Sequence, residues 1–296
     1  MKLIDLHVHS RHSEDGDLPV RELFRLAEAS KISAISITDH DSVESVPEAM
    51  GLLGEFGVEY VPGVEVTTVF PPDGSQQHIL GYYIDHGSRE LREALEKIRQ
   101  FRDSVALKRI EAFRALGFIL REEHVWSMAA GRAPTAASIM RAVLENRENA
   151  EDGRLREYLR GEKRDNRLTH FYRDYLTEGR PAYVPFESIT TLEGIDAVKK
   201  ADGIPVLAHP VFVRSEDRLD TIRRYGILGI EAISTYHTEK DMGYYRDYAK
   251  KHGLVATAGS DYHGPTSKPL VRLGGIQGND YARLEDLRCA RGRHTG

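Results

Sequence analysis

Histidines and carboxylates follow short, mostly apolar runs at six places along the chain. The clearest case is His7 and His9, which form a His-x-His pair after residues 3–6. On a β-strand, residues i and i+2 face the same side, so both imidazoles can reach one metal ion. The other members of the set are Asp39, His40, Glu65, His78, His209, Asp261 and His263. Because the carboxyl ends of parallel strands in a barrel meet at one mouth, we expect these side chains to converge.

The donor set is imidazole and carboxylate, and the single cysteine, Cys289, excludes a thiolate-rich site. Such donors suit Zn²⁺, Mn²⁺ or Fe²⁺ in an open catalytic centre. The set is larger than one tetrahedral ion needs, so we predict two or three divalent metal ions, with Glu65 bridging two of them. Paired ions generate hydroxide at neutral pH and neutralise the charge of a phosphoryl group.

Composition limits the classes of partner. A chain of 296 residues is long enough to bury a large core, and its net charge of -5 gives no broad attraction to polyanions. Any phosphate substrate must therefore be captured by local charges or by metal ions. The first ten residues are too polar for a signal peptide, and no stretch approaches the ~20 apolar residues of a membrane span. We expect a cytoplasmic enzyme with no membrane contact, and we infer no protein partner.

The pattern of elements divides the chain. Residues 1–87 and 181–296 alternate strand and helix signals, which favours one α/β domain with a mainly parallel sheet or barrel. Residues 88–180 show apolar side chains at helical spacing and no strand pattern, so we predict a helical insertion. Within it, the charged tract 145–168 is predicted to be a solvated helix or a mobile excursion outside the core.

Six segments resemble the motifs of a known family. DLHVHS, SITDHDS, PGVEVT, HILGY, VLAHP and GSDYHG occur in this order over residues 1–85 and 180–275. They are similar to motifs of the PHP (polymerase and histidinol phosphatase) family of metal-dependent phosphoesterases. The resemblance implies an α/β fold, a distorted seven-stranded β/α barrel with a helical insertion domain, and three metal ions at the barrel mouth.

The resemblance also implies which residues bind each ion. The first ion would be bound by His7, His9, Glu65 and Asp261, the second by Glu65, His78 and His209, and the third by Glu14, His40 and His263. The family usually has aspartate at the position of Glu14. Asp15 lies one residue away, so Glu14 is favoured and Asp15 is the alternative. Asp39 precedes a ligand, and its implied role is to orient an imidazole.

Residues 175–184 resemble the nucleotide-directed branch of the family, which includes phosphatases of nucleoside 3′,5′-bisphosphates and 5′-to-3′ exoribonucleases. By this resemblance Arg180 is a bidentate clamp for the substrate phosphate, and His237 contacts the phosphate or the leaving group. The Arg-x-His pair that related members carry near residues 136–138 is absent, and Arg132 is the candidate to replace it.

The predicted function is hydrolysis of a phosphate monoester by a metal-activated hydroxide, with a nucleotide or a related small phosphorylated metabolite as the substrate. A 5′-to-3′ exonuclease acting on short RNA is the first alternative. A non-catalytic, metal-stabilised module of a larger complex is the second. The complete ligand set favours an enzyme, because a chain without catalysis has no need of it.

Overall fold

The computed structural model describes residues 2–129, 133–213 and 215–294. The chain forms two compact units. One, the α/β unit, comprises Met1–Glu96 and Ile189–Gly296, and the other, the helical unit, comprises Lys97–Ser188. Both boundaries of the helical unit lie later in the sequence than those of the predicted insertion at 88–180.

The α/β unit contains the strands of the described chain. They are β1 (Leu3–Val8), β2 (Ile32–Ile37), β3 (Glu59–Tyr60), β4 (Gly63–Phe70), β5 (Ser75–Tyr82), β6 (Ile189–Thr190), β7 (Ile204–Leu207), β8 (Gly229–Ser234) and β9 (Val255–Gly259). β1, β2 and β3 form a parallel sheet. The second sheet has the order β6-β4-β5-β7-β8-β9, in which β5 is antiparallel to both of its neighbours.

The two sheets approach each other at the carboxyl ends of β1 and β2. Single bridges join Val8 to Tyr262 and His40 to Glu65. The predicted closed seven-stranded barrel is not confirmed, since the described strands pair as separate sheets of three and six. β3 provides a physical reason, because this two-residue strand occupies the edge of β2 that β4 would need for continuous pairing.

The helices lie between and after the strands. They are α1 (Val20–Ala29), α2 (Ser45–Gly51), α3 (Arg89–Ala115), α4 (Glu122–Met128), α5 (Ala136–Leu144), α6 (Arg156–Leu159), α7 (Arg167–Tyr175), α8 (Thr191–Lys200), α9 (Glu216–Arg224), α10 (Glu239–His252) and α11 (Ala282–His294). α10 starts with a capping box between Thr238 and Asp241 and ends at Gly253, whose φ of 67° is left-handed. No helix in the described residues combines the length and apolar character needed to cross a membrane.

The core of the α/β unit lies where the sheets and α11 meet. Leu284 and Leu287 on α11 are fully buried and belong to the same apolar cluster as Ile4 and Leu6 on β1. α11 was not predicted from the sequence, because its many charged residues leave only a weak apolar stripe. The helix therefore completes the core around the first strand that carries ligands.

The helical unit has a core of its own, with Phe113 stacked on Phe171 at 5.7 Å between ring centroids. The charged tract 145–168 contributes to this core, so its predicted exclusion from the core is wrong. Leu155 and Tyr158 are buried, whereas charged side chains such as Arg167 remain at the surface. Short 3₁₀ turns and the single turn of α6 direct the few apolar side chains of the tract inward.

Candidate metal centre

β1 supplies the first two ligands of the candidate centre. His7 lies near the end of the strand and His9 directly follows it. Their alternation places both rings on one side, with ring centroids 5.1 Å apart, and both are fully buried. The geometry expected of the His-x-His pair is therefore present.

The β4–β5 hairpin supplies the next two ligands in a way that the sequence did not indicate. His78 lies within the antiparallel β5 and not at a strand end, and it is opposite Thr67 in the register. Glu65 is two residues before Thr67, so Glu65 and His78 occupy the same face as diagonal neighbours. His78 Nδ1 is 2.8 Å from Glu65 Oε1. Cross-strand register therefore brings these two side chains together.

Strained backbone presents two of the remaining ligands. His209 follows β7 with φ 26°, and Asp261 follows β9 with φ 56°. Non-glycine residues rarely have positive φ, and each such residue costs about 1–3 kcal/mol unless its surroundings hold it. Such strain is typical of functional sites, where the fold fixes a side chain before a ligand arrives.

Glu65 lies at the centre of the arrangement and is fully buried. Five imidazole nitrogens are within 3.2 Å of its two carboxylate oxygens. They belong to His7, His9, His40, His78 and His209. A carboxylate with this number of nitrogen neighbours on two oxygens has the placement expected of a bridging ligand.

The donor atoms form three overlapping groups that could each hold a metal ion. The groups are His7, His9, Glu65 and Asp261; His40, Glu65 and His78; and His9, Asp15, His40 and His263. Within each group the donor atoms lie within 4.8 Å of one another. The structure thus brings together eight of the predicted ligands, since His209 contacts Glu65.

The structure favours Asp15, the alternative ligand, over Glu14. Among the described residues Glu14 belongs to none of the three groups, and Asp15 takes its place. Asp15 Oδ2 is 3.1 Å from His263 Nε2, and Ser13 Oγ donates to Asp15 Oδ1 at 2.9 Å. The turn that follows His9 thus directs the carboxylate of Asp15 toward His40 and His263.

The orientation of the donors fits a metal ion better than direct hydrogen bonds. His9 Nε2 and His40 Nδ1 are buried, and neither has a partner with hydrogen-bond geometry in the described part of the chain. Carboxylate oxygens nevertheless lie 3.1 and 3.2 Å from these nitrogens. The lone pairs of these imidazole nitrogens and carboxylate oxygens are therefore directed at common points that lie between the side chains. Imidazole and carboxylate at such points suit divalent Zn, Mn or Fe.

The electrostatics of the groups are strongly coupled. Burial lowers the pKa of His9, but Asp261 and Glu65 raise it to about 9 overall. Burial raises the pKa of Glu65, and the surrounding histidines hold it well below its usual range. Burial also lowers the pKa of His40 well below the ordinary value. Clusters of this kind are typical of functional sites.

Glu231 on β8 is a functional residue that the sequence analysis missed. Its Oε1 accepts a hydrogen bond from His7 Nδ1 at 2.9 Å, and its Oε2 accepts one from the backbone N–H of His209 at 2.8 Å. It is fully buried. A lone glutamate inside the apolar strand was the available signal, because a charge is rarely buried without a partner.

An open cavity of about 300 Å³ adjoins the three groups. It is lined by Asp15, His40, Gln76, Gln77, His78, His209, Phe212, Tyr236, Asp261, His263 and Lys268. Tyr236 and Lys268 were also missed by the sequence analysis. The Tyr236 hydroxyl donates to Asp261 Oδ2 at 2.6 Å and accepts from Lys268 Nζ at 2.6 Å, and Lys268 also forms an ion pair with Asp261. A cationic side chain thus lies at the cavity wall beside a ligand.

Asp39, His237 and Arg180 were predicted to assist catalysis. The carboxylate of Asp39 accepts hydrogen bonds from the backbone N–H and the hydroxyl of Ser10 at 2.6 and 2.9 Å, and so it holds the loop after β1. His237 is not among the cavity-lining residues of the described chain. Its Nδ1 bonds to a backbone oxygen at 3.1 Å. Arg180 is an exposed residue of the helical unit, and Arg132 lies outside the described residues.

The chain is similar to known proteins over most of its length. The family model described as PHP domain matches residues 5–160. A 3′,5′-nucleoside bisphosphate phosphatase of Chromobacterium violaceum is 31% identical over 296 residues, covering 97% of this chain and 93% of that protein. A 5′-3′ exoribonuclease of Haemophilus influenzae is 25% identical over 269 residues, covering 89% and 91%.

A solved structure has the same fold. It is the crystal structure of a protein from Bifidobacterium adolescentis described as a metal-dependent phosphoesterase, and it aligns with a TM-score of 0.76 and 23% identity over 98% of this chain and 96% of that one. The family match covers more than half of the chain, and the Chromobacterium relative matches nearly all of it. The chain belongs to the PHP family of metal-dependent phosphoesterases.

Proposed function

We propose that this phosphoesterase hydrolyses the phosphate monoester of a nucleotide or of a related small phosphorylated metabolite. The observation that carries the proposal is Glu65, which lies among five imidazoles, three of which, those of His40, His78 and His209, line an open cavity. Hydrolysis of a phosphate ester needs charge neutralisation and an activated water at one point, and bound divalent ions supply both. The phosphatase relative from Chromobacterium supports a nucleotide as the substrate.

The ligands divide into three sets in this proposal. The first ion is assigned to His7, His9, Glu65 and Asp261, the second to Glu65, His78 and His209, and the third to Asp15, His40 and His263. Asp15 is assigned in place of Glu14 because its carboxylate is 3.8 Å from His40 Nε2 and 3.1 Å from His263 Nε2, and it belongs to the donor group that contains both histidines. We expect two or three ions of Mn²⁺, Zn²⁺ or Fe²⁺ per chain.

The surrounding side chains hold these ligands in the productive form. By accepting the Nδ1 proton of His7, Glu231 fixes the tautomer whose Nε2 lone pair faces Glu65 and Asp261. Tyr236 and Lys268 occupy one oxygen of Asp261 and leave Oδ1 directed at the two β1 histidines. The ligand shell is therefore oriented before substrate binds.

Substrate selection is assigned to the helical unit and to the cavity wall. In the proposal, the guanidinium of Arg180 forms two parallel hydrogen bonds to phosphate oxygens, a geometry that arginine provides and lysine does not. Asp39 and His237 are proposed to support the centre through their contacts with neighbouring residues. Asp39 holds the loop after β1, and His237 packs on Tyr245 at 4.9 Å.

A second candidate is a 5′-to-3′ exonuclease that acts on short RNA. It is favoured by the similarity to the Haemophilus exoribonuclease over 89% of this chain. Both candidates use the same centre and differ in whether the cavity admits a polynucleotide. A non-catalytic module is not retained, because the relatives that match this chain over most of its length are described as a phosphatase and an exoribonuclease.

The deciding experiment combines metal analysis with a substrate panel. Protein purified without chelator is analysed for Mn, Fe and Zn, and then incubated with adenosine 5′-monophosphate, adenosine 3′,5′-bisphosphate, ribose 5-phosphate and 5′-phosphorylated RNA trimers. Release of inorganic phosphate from the small esters, abolished by His9→Ala, supports the phosphatase. Release of mononucleotides from the trimers supports the exonuclease. No hydrolysis of any substrate by metal-loaded protein would refute both.

A further inference from the structure

Two aromatic side chains form part of the cavity wall and remain substantially exposed. Phe212 is 48% exposed and Tyr236 is 37% exposed. Their ring centroids are 5.0 Å apart in a T-shaped arrangement, and both rings also pack edge-on against His209. We refer to Phe212 and Tyr236 as the aromatic wall.

The position of the aromatic wall is more informative than its exposure. Isolated exposed apolar residues are common and need no explanation. Here, however, the ring of Phe212 packs directly against His209, one of the proposed metal ligands, with 5.3 Å between the two ring centroids. Phe212 follows a strained ligand in a short 3₁₀ turn, Pro210–Phe212, which fixes the ring beside the cavity.

The lining of the cavity combines two kinds of chemistry. Imidazole and carboxylate groups and Lys268 suit a phosphate group and its counter-ions. Phe212 and Tyr236 add exposed aromatic surface beside them. A cavity of about 300 Å³ lies at the small end of ligand pockets, ~300–1,000 Å³, and suits a single small ligand. Such a ligand carries a phosphate at one end and a planar apolar group at the other.

We propose that Phe212, supported by Tyr236 and His209, stacks on the nucleobase of the substrate and thereby selects nucleotides over other phosphate monoesters. The inference rests on the proposed phosphomonoesterase function and adds the residue that recognises the leaving group. Aromatic stacking accepts any base, because every base has a π-face, so the wall selects the class of nucleotide and not one base. The expected preference is therefore for nucleotides of all four bases over sugar phosphates.

A ratio of substrates tests the proposal without depending on the absolute rate. The value of kcat/KM is measured for adenosine 5′-monophosphate and for ribose 5-phosphate, which differ only by the base. We expect the wild-type protein to prefer the nucleotide by about tenfold or more, and Phe212→Leu to reduce the preference to about threefold or less. Phe212→Trp should retain it. Tyr244→Leu is the matched control, because Tyr244 is 44% exposed on α10 and does not line the cavity.

A binding measurement separates this inference from the proposed function. Saturation-transfer NMR with adenosine, which has no phosphate to lose, reports which ligand protons contact the metal-loaded protein. We expect saturation at the adenine protons in the wild-type protein and in Tyr244→Leu, and its loss in Phe212→Leu. The metal content of each variant is checked because Phe212 packs on His209.

The outcomes are distinguishable. No saturation at the adenine protons of the wild-type protein overturns the role of Phe212 even if phosphate esters are hydrolysed. An equal loss of kcat/KM for both esters in Phe212→Leu also overturns it, because the ring would then only shield the centre from solvent. If no ester is hydrolysed the proposed function fails, and the NMR result still decides whether the aromatic wall binds a base.

Discussion

Replacement of Glu231 by glutamine tests the idea that a buried side chain, and not only the ligands, determines metal affinity. Glutamine has nearly the same shape but only one acceptor oxygen. The wild-type carboxylate accepts from both His7 Nδ1 and the His209 N–H. In Glu231→Gln one of these contacts must therefore be lost, or His7 must change its tautomer and carry its proton on the nitrogen that faces Glu65.

The magnitude follows from these two contacts. A buried donor left without an acceptor costs about 1–3 kcal/mol. Loss of the partner of a metal-binding histidine lowers metal affinity or activity by about 10–100-fold, which corresponds to about 1.4–2.7 kcal/mol. Both estimates agree, so we expect a 10–100-fold weaker apparent metal affinity in the variant. We also expect partial recovery of activity at high metal concentration, because every residue that is proposed to bind metal directly is still present in the variant.

The assay is a competition between the protein and a chromophoric chelator, followed by phosphatase rates at increasing metal concentration. Glu59→Gln is the matched control. Glu59 also has two partners, Tyr281 and Arg288, but it lies on β3 away from the centre. Thermal unfolding of both variants separates loss of metal from loss of fold. If the metal affinity of Glu231→Gln lies within about threefold of the wild-type value, the reasoning is refuted, because the expected loss of affinity is about 10–100-fold.

Four further outcomes are expected. Asp261→Ala should cut turnover by orders of magnitude in rate assays, while calorimetry should still show the melting transition. Near-normal rates in metal-replete buffer would contradict the assignment of Asp261 as a ligand. Asp15→Asn should lower the number of bound ions by elemental analysis, whereas Glu14→Gln should not; the reverse result would restore Glu14 as the ligand. Arg180→Ala should raise KM for a phosphorylated substrate by about tenfold without changing metal content, because a charge-assisted contact is worth ~1.5–3 kcal/mol; an unchanged KM would exclude the clamp. Metal binding requires neutral imidazole, and the pKa of His9 is raised to about 9 before binding. The apparent metal affinity should therefore rise with pH up to about 9, and metal binding should release protons. Calorimetry in two buffers measures this release, and its absence would contradict the prediction.

The ligands could be predicted because their chemistry is local in sequence. Histidines and carboxylates after apolar runs are unusual enough to stand out, and His209 and Asp261 both follow strands as expected. The choice between Glu14 and Asp15 could not be made by counting. A β-carbon on Gly16 would lie 1.9 Å from the carbonyl oxygen of Ser10, so the direction of each carboxylate depends on a tight turn and not on its number in the sequence.

The supporting residues could not be predicted for a different reason. Glu231 contacts His7 across 224 positions in the sequence, and this contact depends on β8 pairing with β9, which in turn packs against β1. Sheet order is not encoded in local periodicity. The pairing of β5 with β7, for example, joins two strands that are separated in the sequence by the whole helical unit. The same limit applied to the barrel, whose predicted closure depended on how β2 and β4 pair.

The helical unit separates the metal ligands into two sets along the chain. The ligands up to His78 precede Lys97–Ser188, and His209, Asp261 and His263 follow it. During translation the first set emerges while β7, β8 and β9 are still unmade, so Glu65 then lacks His209 and the two β1 histidines lack Asp261. Contacts of such long range form late in folding. A fragment that ends before β7 lacks His209, Asp261 and His263, so we expect the proposed ion sites to be complete only after the strands that follow the helical unit have been made.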